Sequence, residues 1–459
     1  MKALDKKITL FSLVWPIFLE NLFRMLLGNV NVLMLSHYSD QAVGAVGVAN
    51  QIISMVLTLY TIVSLGTGIT ISQYLGAKDT ASASKAAVCS LMVNTALGFL
   101  LSIFLAVFSR SLLRLMNLPE ELMGYATQYM WIVGGASFLQ ALIATMSSIV
   151  RSYGITRFSM YIALVMNVIN VLGNSIVILK PFGFPELGVV GIAGALIFSE
   201  AVGFFLMLYF LLARVRIPLH FKELVPFPKK MFLDILKIGS PAAAESLSWS
   251  ATQTLSIYVI TLLGAEAITT RIYVNNIVFY IYILGMSIGQ ATQIYTGHLI
   301  GAGKVQEAYD TCIRNLKIAI ISNAVLSLVF ILFRKPLLGI FTQNQELIQL
   351  GCLIMLFDWV VETGRAFNHI VPNALRGAGD VRYPVVITIF SMWGISLPLC
   401  YLLGIHFHLG LLGIWFAYAA DEWFRGLLLY RRWRSKQWQR MSLVTGKPTV
   451  VPEKIGAAE

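Results

Sequence analysis

Long apolar stretches alternate with short polar segments along almost the whole chain. The apolar stretches cover residues 9–37, 43–74, 87–109, 123–149, 158–179, 188–213, 234–263, 267–299, 313–333, 346–371, 383–404 and 409–430. Each has at least the roughly 20 residues that an α-helix needs to cross a bilayer. Because a membrane segment must satisfy its backbone hydrogen bonds without water, the pattern predicts an all-α polytopic membrane protein with twelve transmembrane helices.

The composition agrees with a membrane protein and excludes several other classes. Hydrophobic residues make up 57% of the 459 residues and charged residues 12%, whereas soluble domains carry about 25% charged residues. The chain has no P-loop, no H-E-x-x-H and no G-x-S-x-G, so neither an enzyme nor ATP-driven transport is indicated. The four cysteines form no C-x-x-C pair. No disulfide framework, metal site or cofactor is therefore predicted.

The positions of Lys and Arg predict the orientation in the membrane. With a cytoplasmic N-terminus, the inside loops carry Lys78, Lys85, Arg151, Arg157, Lys304, Arg314, Arg376 and Arg382. The outside loops carry only Arg110, Arg114, Lys180, Arg334 and Lys335. The positive-inside rule then places both termini in the cytoplasm of a multi-pass plasma membrane protein, which for a bacterium is the inner membrane.

The net charge of +12 follows from these loops and from the basic stretch RRWRSKQWQR near the C-terminus. The basic residues flank apolar segments and form no separate aromatic-bearing domain, so no nucleic-acid partner is expected. Trp433 and Trp438 in the basic stretch are predicted to anchor it at the membrane interface, with lipids as the surroundings.

The two halves of the chain repeat one pattern. A shift of 225 positions superposes Pro16 on Pro241, Glu20 on Glu245, Gly76 on Gly301, Arg151 on Arg376 and Gly154 on Gly379, and a later shift of 222 superposes Glu200 on Glu422. An even number of helices gives both six-helix repeats the same orientation, related by an axis along the membrane normal. The predicted division is a lobe at 1–213, a cytoplasmic linker at 214–233, a lobe at 234–430 and a cytoplasmic basic tail at 431–459. Repeats of this kind build transporters.

Several ionisable residues lie inside the predicted helices. Glu20 and Glu245 fall near the middle of the first and seventh helices, while Glu200 and Glu422 lie deep in the sixth and twelfth. Arg24 follows Glu20 by one turn, and Glu245 has no such neighbour, so the two acids are expected to differ. An intramembrane charge is costly and usually belongs to a transport pathway. The alternative is a structural role, as an ion pair or as a brace beside a proline.

The tenth predicted helix carries a stripe of charge. Asp358, Glu362 and Arg365 in DWVVETGR occupy one face of a helix. Their first-half counterparts include Ser137 and Gln140, which do not ionise. Transport driven by an ion gradient needs a carboxylate that the ion neutralises in one state, and this stripe offers two. Mutual neutralisation of Glu362 and Arg365 within one helix is the structural alternative.

Three segments, SLVWPIFLENLFRMLLGNVNVLMLS, ISQYLGAKD and NALRGAGDVRYP, resemble the multidrug and toxic compound extrusion (MATE) family over about residues 8–430. The resemblance implies two six-helix lobes around a V-shaped cavity. It also implies secondary active efflux of cationic, amphipathic organic compounds, driven by inward flow of Na⁺ or H⁺. The chain is expected to act as a monomer on small-molecule cationic substrates.

The chain departs from the family pattern at Asn31, where many relatives carry an aspartate. The resemblance therefore implies coupling through the second lobe. Glu245 resembles the acid of the seventh helix, and Glu362 lies one turn before the expected acid of the tenth, with Arg365 as a modulator.

Two other functions remain open at this point. A lipid-linked oligosaccharide flippase of the same superfamily would also have two lobes, but its anionic substrate favours a more cationic cavity. A membrane-embedded transferase would need a reactive residue near the interface and would not need the repeat.

The predicted orientation can be tested with single cysteines. Lys78→Cys and Lys304→Cys should react with a membrane-impermeant thiol reagent only from the cytoplasmic side, because both loops are predicted to lie inside. Lys335→Cys is the matched control and should react from the opposite side. Labelling of Lys78→Cys or Lys304→Cys from outside would contradict the parallel repeat.

Overall fold

The computed structural model describes residues 9–36, 38–179, 185, 187–215 and 227–442. Twelve helical segments of spanning length lie at the twelve predicted places. They are α1 Leu10–Ser36, α2 Asp40–Gly76, α3 Thr80–Val107, α4 Glu120–Gly134 with Phe138–Ser152, α5 Thr156–Leu179, α6 Gly188–Ala213, α7 Lys229–Thr261, α8 Ala265–Gly301, α9 Val305–Leu332, α10 Gln345–Ala378, α11 Arg382–His406 and α12 Gly410–Arg434. Most of the predicted linker and the predicted tail after Ser442 lie outside the described residues.

Apolarity alone does not identify all twelve helices. Nine of the described helices are long and apolar enough to cross a membrane, and ten are if the two parts of α4, bent by 42°, form one span. The remaining two are long but polar: α7 is rich in serine and threonine, and α12 carries Asp421, Glu422 and Arg425. Polar residues inside spanning helices generally face the protein interior, so these two helices indicate where a polar site lies.

The helices α3 and α9 begin seven to eight residues before the predicted apolar stretches, at Thr80 and Val305. Asp79 caps α3, because its side chain accepts a hydrogen bond 2.9 Å long from the Ser82 amide. That bond holds the pKa of the Asp79 carboxyl, which lies outside the spans, below its usual value. The hydropathy pattern missed these first turns because they are polar and continue the helix beyond the apolar core.

The repeat is visible as two lobes, α1–α6 and α7–α12. One large apolar core cluster is built from residues of the first lobe, including Tyr60 and Met130. A second is built from residues of the second lobe, including Ile281 and Trp415. Each lobe therefore buries a large apolar core of its own.

The lobes meet through equivalent contacts related by the repeat. Leu13 and Ile17 of α1 pack against Ala291 and Ile294 of α8. The repeat counterpart is the packing of Ile238 in α7 against Ile69 in α2. The first helix of each lobe thus packs against the second helix of the other lobe in the same way.

Two reciprocal hydrogen bonds reinforce this interface. Gln73 Nε2 in α2 donates to the Gly377 carbonyl over 2.8 Å. His298 Nε2 in α8 lies 2.6 Å from the Ser152 carbonyl. Residues 73 and 298, like residues 152 and 377, are related by the offset of 225. Each lobe therefore contributes one side chain to a backbone oxygen of the other.

Backbone contact at the same level closes the lobes against each other. A Cβ atom on Gly76 would strike the His298 carbonyl, and one on Gly301 would strike the Gln73 carbonyl. These contacts lie at the C-terminal ends of α2 and α8, which are predicted to face the cytoplasm. The lobes form a V that is narrow at this end.

The described part of the C-terminal tail packs against the protein. Trp433 and Trp438 are both 0% exposed, and their rings stack with centroids 4.1 Å apart. The Trp438 indole donates to the Trp433 carbonyl over 2.9 Å. The prediction that these tryptophans anchor at the membrane interface is therefore wrong: their rings fill an apolar cluster of the second lobe. Tryptophans beside basic residues form the same sequence pattern whether their rings lie at the membrane interface or pack inside the protein.

The close contact of the lobes predicts a specific glycine requirement. Gly301→Ala should lower the melting temperature of the detergent-solubilised protein, because a rigid backbone carbonyl occupies the position of the new methyl group. We expect a loss of about 1–3 kcal/mol in the free energy of unfolding. Gly194→Ala in α6 is the control: no atom lies within 4 Å of its Cβ position, so it should be neutral or slightly stabilising. Equal melting temperatures for the two variants would contradict the close approach.

Candidate functional site

Glu20 is held by two arginines inside the first lobe. Its carboxylate is 1% exposed and lies 3.2 Å from Nη2 of Arg24, one turn further along α1. Both carboxylate oxygens also lie 3.4 Å from Nη1 of Arg151 in α4. The Arg24 side chain is 54% exposed, whereas Arg151 is mostly buried. The contact with Arg151 fastens α1 to α4, just beyond the proline of α1.

Glu245 has the equivalent partner in the second lobe. Nη2 of Arg376 in α10 donates to Glu245 Oε2 over 2.5 Å. The two residues are 131 positions apart, as are Glu20 and Arg151. Glu245 has no arginine one turn further along its own helix, as expected, and its arginine comes from a distant helix that the sequence pattern did not indicate. The repeat has duplicated a whole ion pair.

A larger group of charges lies between α10 and α12, and Glu422 is its centre. Glu422 accepts hydrogen bonds from Nε of Arg365 at 3.1 Å, from Nη2 of Arg425 at 2.9 Å and from Nδ2 of Asn368 at 2.7 Å. Arg365 also bonds Glu362 on its own helix, so it bridges two carboxylates. Both oxygens of Glu422 are satisfied, whereas Oε2 of the buried Glu362 has no hydrogen-bond partner.

Two aspartates complete this group. The Trp415 indole donates to Oδ1 of Asp358 over 3.0 Å. Asp421 accepts from the Ser391 hydroxyl and lies 3.5 Å from Nη2 of Arg425. We refer to Asp358, Glu362, Arg365, Asp421, Glu422 and Arg425 as the α10–α12 charge cluster.

The α10–α12 charge cluster contains more acids than bases. Its four carboxyl groups face two guanidinium groups, so full ionisation would leave two uncompensated negative charges. All four acids are buried. Burying an unpaired charge is costly, and a carboxylate in such a place takes up a proton or another cation. Two bound monovalent cations would therefore balance the charge of the cluster.

The corresponding region of the first lobe is nearly free of charge. Gln140 donates to Oε1 of Glu200 over 2.6 Å, at the positions that match Arg365 and Glu422. Asn31 accepts from Nδ2 of Asn174 at 2.7 Å, and the same nitrogen lies 3.1 Å from Oδ1 of Asn170. The group formed by Asn31, Asn170 and Asn174 consists of neutral amides, so these three residues cannot titrate.

The structure brings some of the sequence-predicted residues together and separates others. Asp358, Glu362, Arg365 and Glu422 lie in one cluster. Glu20 with Arg24, Glu245, Glu200 and Asn31 each have other neighbours. The sequence analysis missed Arg425 as a member and Arg151 and Arg376 as partners. A signal for the last two was present: oppositely charged residues that recur at one offset inside membrane helices are expected to form equivalent pairs.

Glu20 has two arginine partners and Glu245 has one, so removing one arginine should cost a different free energy of unfolding in the two lobes. Arg376→Ala leaves Glu245 without its arginine and should cost about 3 kcal/mol of unfolding free energy. Arg151→Ala should cost less, because Glu20 keeps Arg24. Thermal unfolding of the purified variants in detergent measures both effects. The double variant Glu245→Gln/Arg376→Gln should recover most of the loss, and equal losses for the two single variants would contradict the assignment.

Comparison with known proteins identifies a family with this architecture. The MatE family model matches the chain twice, at residues 16–176 and 241–402, which are equivalent parts of the two lobes. The uncharacterized transporter YisQ of Bacillus subtilis (strain 168) is 41% identical, with 95% of this chain and 96% of the relative covered. The probable multidrug resistance protein NorM of Thermotoga maritima is 28% identical, over 95% of this chain and 94% of the relative.

Solved structures share the fold. A crystal structure of a MATE protein in the straight conformation has a TM-score of 0.87 at 20% identity, covering 95% of this chain and 97% of the other. An outward-facing multidrug resistance MATE family transporter of the MOP superfamily has a TM-score of 0.86 at 20% identity, with the same coverage. The family model covers most of both lobes, and the resemblance seen in the sequence is thereby confirmed. The chain belongs to the MatE family of membrane transporters.

Proposed function

We propose that the chain is a secondary active antiporter that exports cationic, amphipathic organic compounds in exchange for Na⁺ or H⁺. The observation that carries this proposal is the excess of two carboxyl groups over guanidinium groups in the α10–α12 charge cluster. Relatives named as multidrug resistance proteins support export of drug-like compounds. The sequence also favours ion coupling through the second lobe, because Asn31 of the first lobe is neutral whereas Glu362 of the second lobe is an acid.

Exchange follows from competition for the excess negative charge. When both excess negative charges of the cluster are balanced by bound H⁺ or Na⁺, the cluster is neutral and tolerates an apolar environment. When the ion leaves, the ionised carboxylates attract an organic cation. The coupling ion and the organic cation compete for the same negative charge, so they cannot both be bound to it at once. Inward movement of the ion is therefore linked to outward movement of the organic cation.

Glu362 is the principal carrier in this proposal. It is fully buried, and its Oε2 has no hydrogen-bond partner, so this oxygen is free to take a proton or an ion. Arg365 acts as modulator, because it contacts both Glu362 and Glu422. Asp358 lies one turn before Glu362 and contributes further negative charge.

Glu245 is a second candidate carrier. Its side chain is 19% exposed, against 1% for Glu20, and it has one arginine partner where Glu20 has two. In the first lobe, Glu20 with Arg24 and Arg151 is a more tightly compensated group. The neutral amides around Asn31 give that lobe no titrating group at the position where the resemblance implies one in many relatives.

The proposal includes the oligomeric state, the membrane and the orientation of the protein. The transporter acts as a monomer in the bacterial inner membrane, with both termini in the cytoplasm and with lobes at 1–213 and 234–430. The lipid-linked oligosaccharide flippase is disfavoured, because an anionic head group would be repelled by a cluster with excess carboxylates. A membrane-embedded transferase is excluded by membership of a transporter family.

Transport by the reconstituted protein tests the proposal. Purified protein in liposomes should move a fluorescent organic cation when a Na⁺ or H⁺ gradient is imposed, and not without one. Glu362→Gln should lower gradient-driven transport at least about tenfold, because an amide cannot change its charge. Glu307→Gln is the control, since that glutamate is exposed and pairs with Lys304 near the start of α9; it should transport as the wild type does. Gradient-driven transport at the wild-type rate in Glu362→Gln would contradict the role of this residue.

The double variant Glu362→Gln/Arg365→Gln separates coupling from bracing. Removing both charges should restore thermal stability lost in Arg365→Ala, because no ionised Glu362 is then left without its arginine. Gradient-driven transport should stay absent in the double variant. Normal transport with normal stability would assign the pair to structure and direct the search for the carrier to Glu245.

A further inference from the structure

The contact of Gln140 with Glu200 is the first-lobe copy of a second-lobe contact. Gln140 corresponds to Arg365 by the offset of 225, and Glu200 corresponds to Glu422 by the offset of 222. In both lobes a nitrogen of the first residue donates to Oε1 of the second, over 2.6 Å in the first lobe and 3.1 Å in the second. The two carboxyl groups therefore occupy equivalent places in equivalent lobes.

Their partners differ completely. Glu422 has two guanidinium groups and an amide, from Arg365, Arg425 and Asn368. The first lobe has Gln140, Gly203 and Ile143 at the corresponding positions. The carboxyl of Glu200 thus keeps one neutral donor and loses both fixed positive charges. Its Oε2 has no hydrogen-bond partner although the residue is only 4% exposed.

The helices packed around Glu200 supply little compensating charge. At this level α5 contributes Met166, which contacts Gly203 one turn beyond Glu200, and the amide of Asn170. The second part of α4 contributes Gln140. The first part of α4 contributes the phenol of Tyr129, whose hydroxyl donates to Asn50. The short segment Met130–Gly134 has no ionisable residue.

Arg24 of α1 is a positive charge that acts on Glu200, but it already pairs with Glu20 and is half exposed to solvent. Arg151, further along α4, contacts Glu20 as well. A cation that is shared with another acid and is open to water compensates a buried carboxylate weakly.

We propose that Glu200 is a proton-binding site of the first lobe, which takes up and releases one H⁺ independently of the α10–α12 charge cluster. A buried carboxyl with one amide donor is stable when neutral, and loss of its proton exposes an uncompensated charge. The inference rests on the proposed exchange transport. It gives the first lobe a titrating group on α6, in place of the neutral Asn31 on α1.

The geometry favours a proton over a metal ion. Hard metal cations require several oxygen ligands around one point. Beside the Glu200 carboxyl, the Gln140 side chain presents its nitrogen to Oε1 and offers no charged oxygen. A proton needs only the unpartnered Oε2.

Infrared spectroscopy of the full-length protein in lipid tests the protonation directly. The wild type should show the absorption of a protonated carboxyl that is lost when the pH is raised, because the acid then ionises. Glu200→Gln should remove that absorption, and Glu307→Gln should retain it. Gln140→Arg, which copies the second-lobe arrangement, should move the loss to lower pH, because a guanidinium favours the ionised form. Gln140→Leu is a second variant that keeps the carboxyl and lacks the new charge, and it should retain the absorption at neutral pH.

The possible outcomes distinguish this inference from the proposed function. Identical spectra of the wild type and Glu200→Gln from about pH 5 to 9 would overturn the inference, because Glu200 would then not titrate there. A change on adding Na⁺ at constant pH, absent in Glu200→Gln, would overturn it in favour of a metal ion. The spectra are obtained whether or not the protein transports the organic cation. Failure of the proposed function therefore appears as absent transport, and failure of the inference as an unchanged spectrum.

Discussion

An ionised side chain in the middle of a bilayer costs about 3 kcal/mol or more, and this cost shapes the interior of the protein. Glu20 and Glu245 are tolerated because Arg151 and Arg376 reach them from another helix of the same lobe. Each pair joins a proline-containing helix to the helix that carries the arginine. The charges therefore fix which helices are neighbours, in addition to any role in transport.

The same cost explains why the two lobes differ. The second lobe collects four acids and two arginines between α10 and α12, where the charges share partners. The first lobe has kept one acid of that group, Glu200, and replaced its arginine with Gln140. The two lobes therefore share equivalent helix positions but differ in charge, which is concentrated between α10 and α12 in the second lobe. In the first lobe the equivalent positions hold one carboxyl group, Glu200, with an amide beside it.

Much of the fold followed from hydropathy and repetition. The alternation of apolar stretches with polar and basic loops, together with the repeat, placed all twelve helices, although α7 and α12 are less apolar than the other ten. The offset of 225 predicted which residues are equivalent, and the equivalence of Glu20 with Glu245 and of Arg151 with Arg376 holds in three dimensions. What a one-dimensional pattern lacks is the identity of contacts between distant helices. Arg24 was visible as a partner because it is one turn from Glu20, whereas Arg376 was not, because 131 residues separate it from Glu245. Trp433 and Trp438 show the converse limit, since composition does not reveal whether an aromatic ring faces lipid or another ring.

The reciprocal hydrogen bonds of Gln73 and His298 have a consequence for how the V can change shape. Both bonds join the same two lobes at equivalent points of the repeat, so a symmetric separation of the lobes at this end lengthens them together. Opening this end of the V therefore requires the loss of both bonds, and each lobe supplies one of the two side chains.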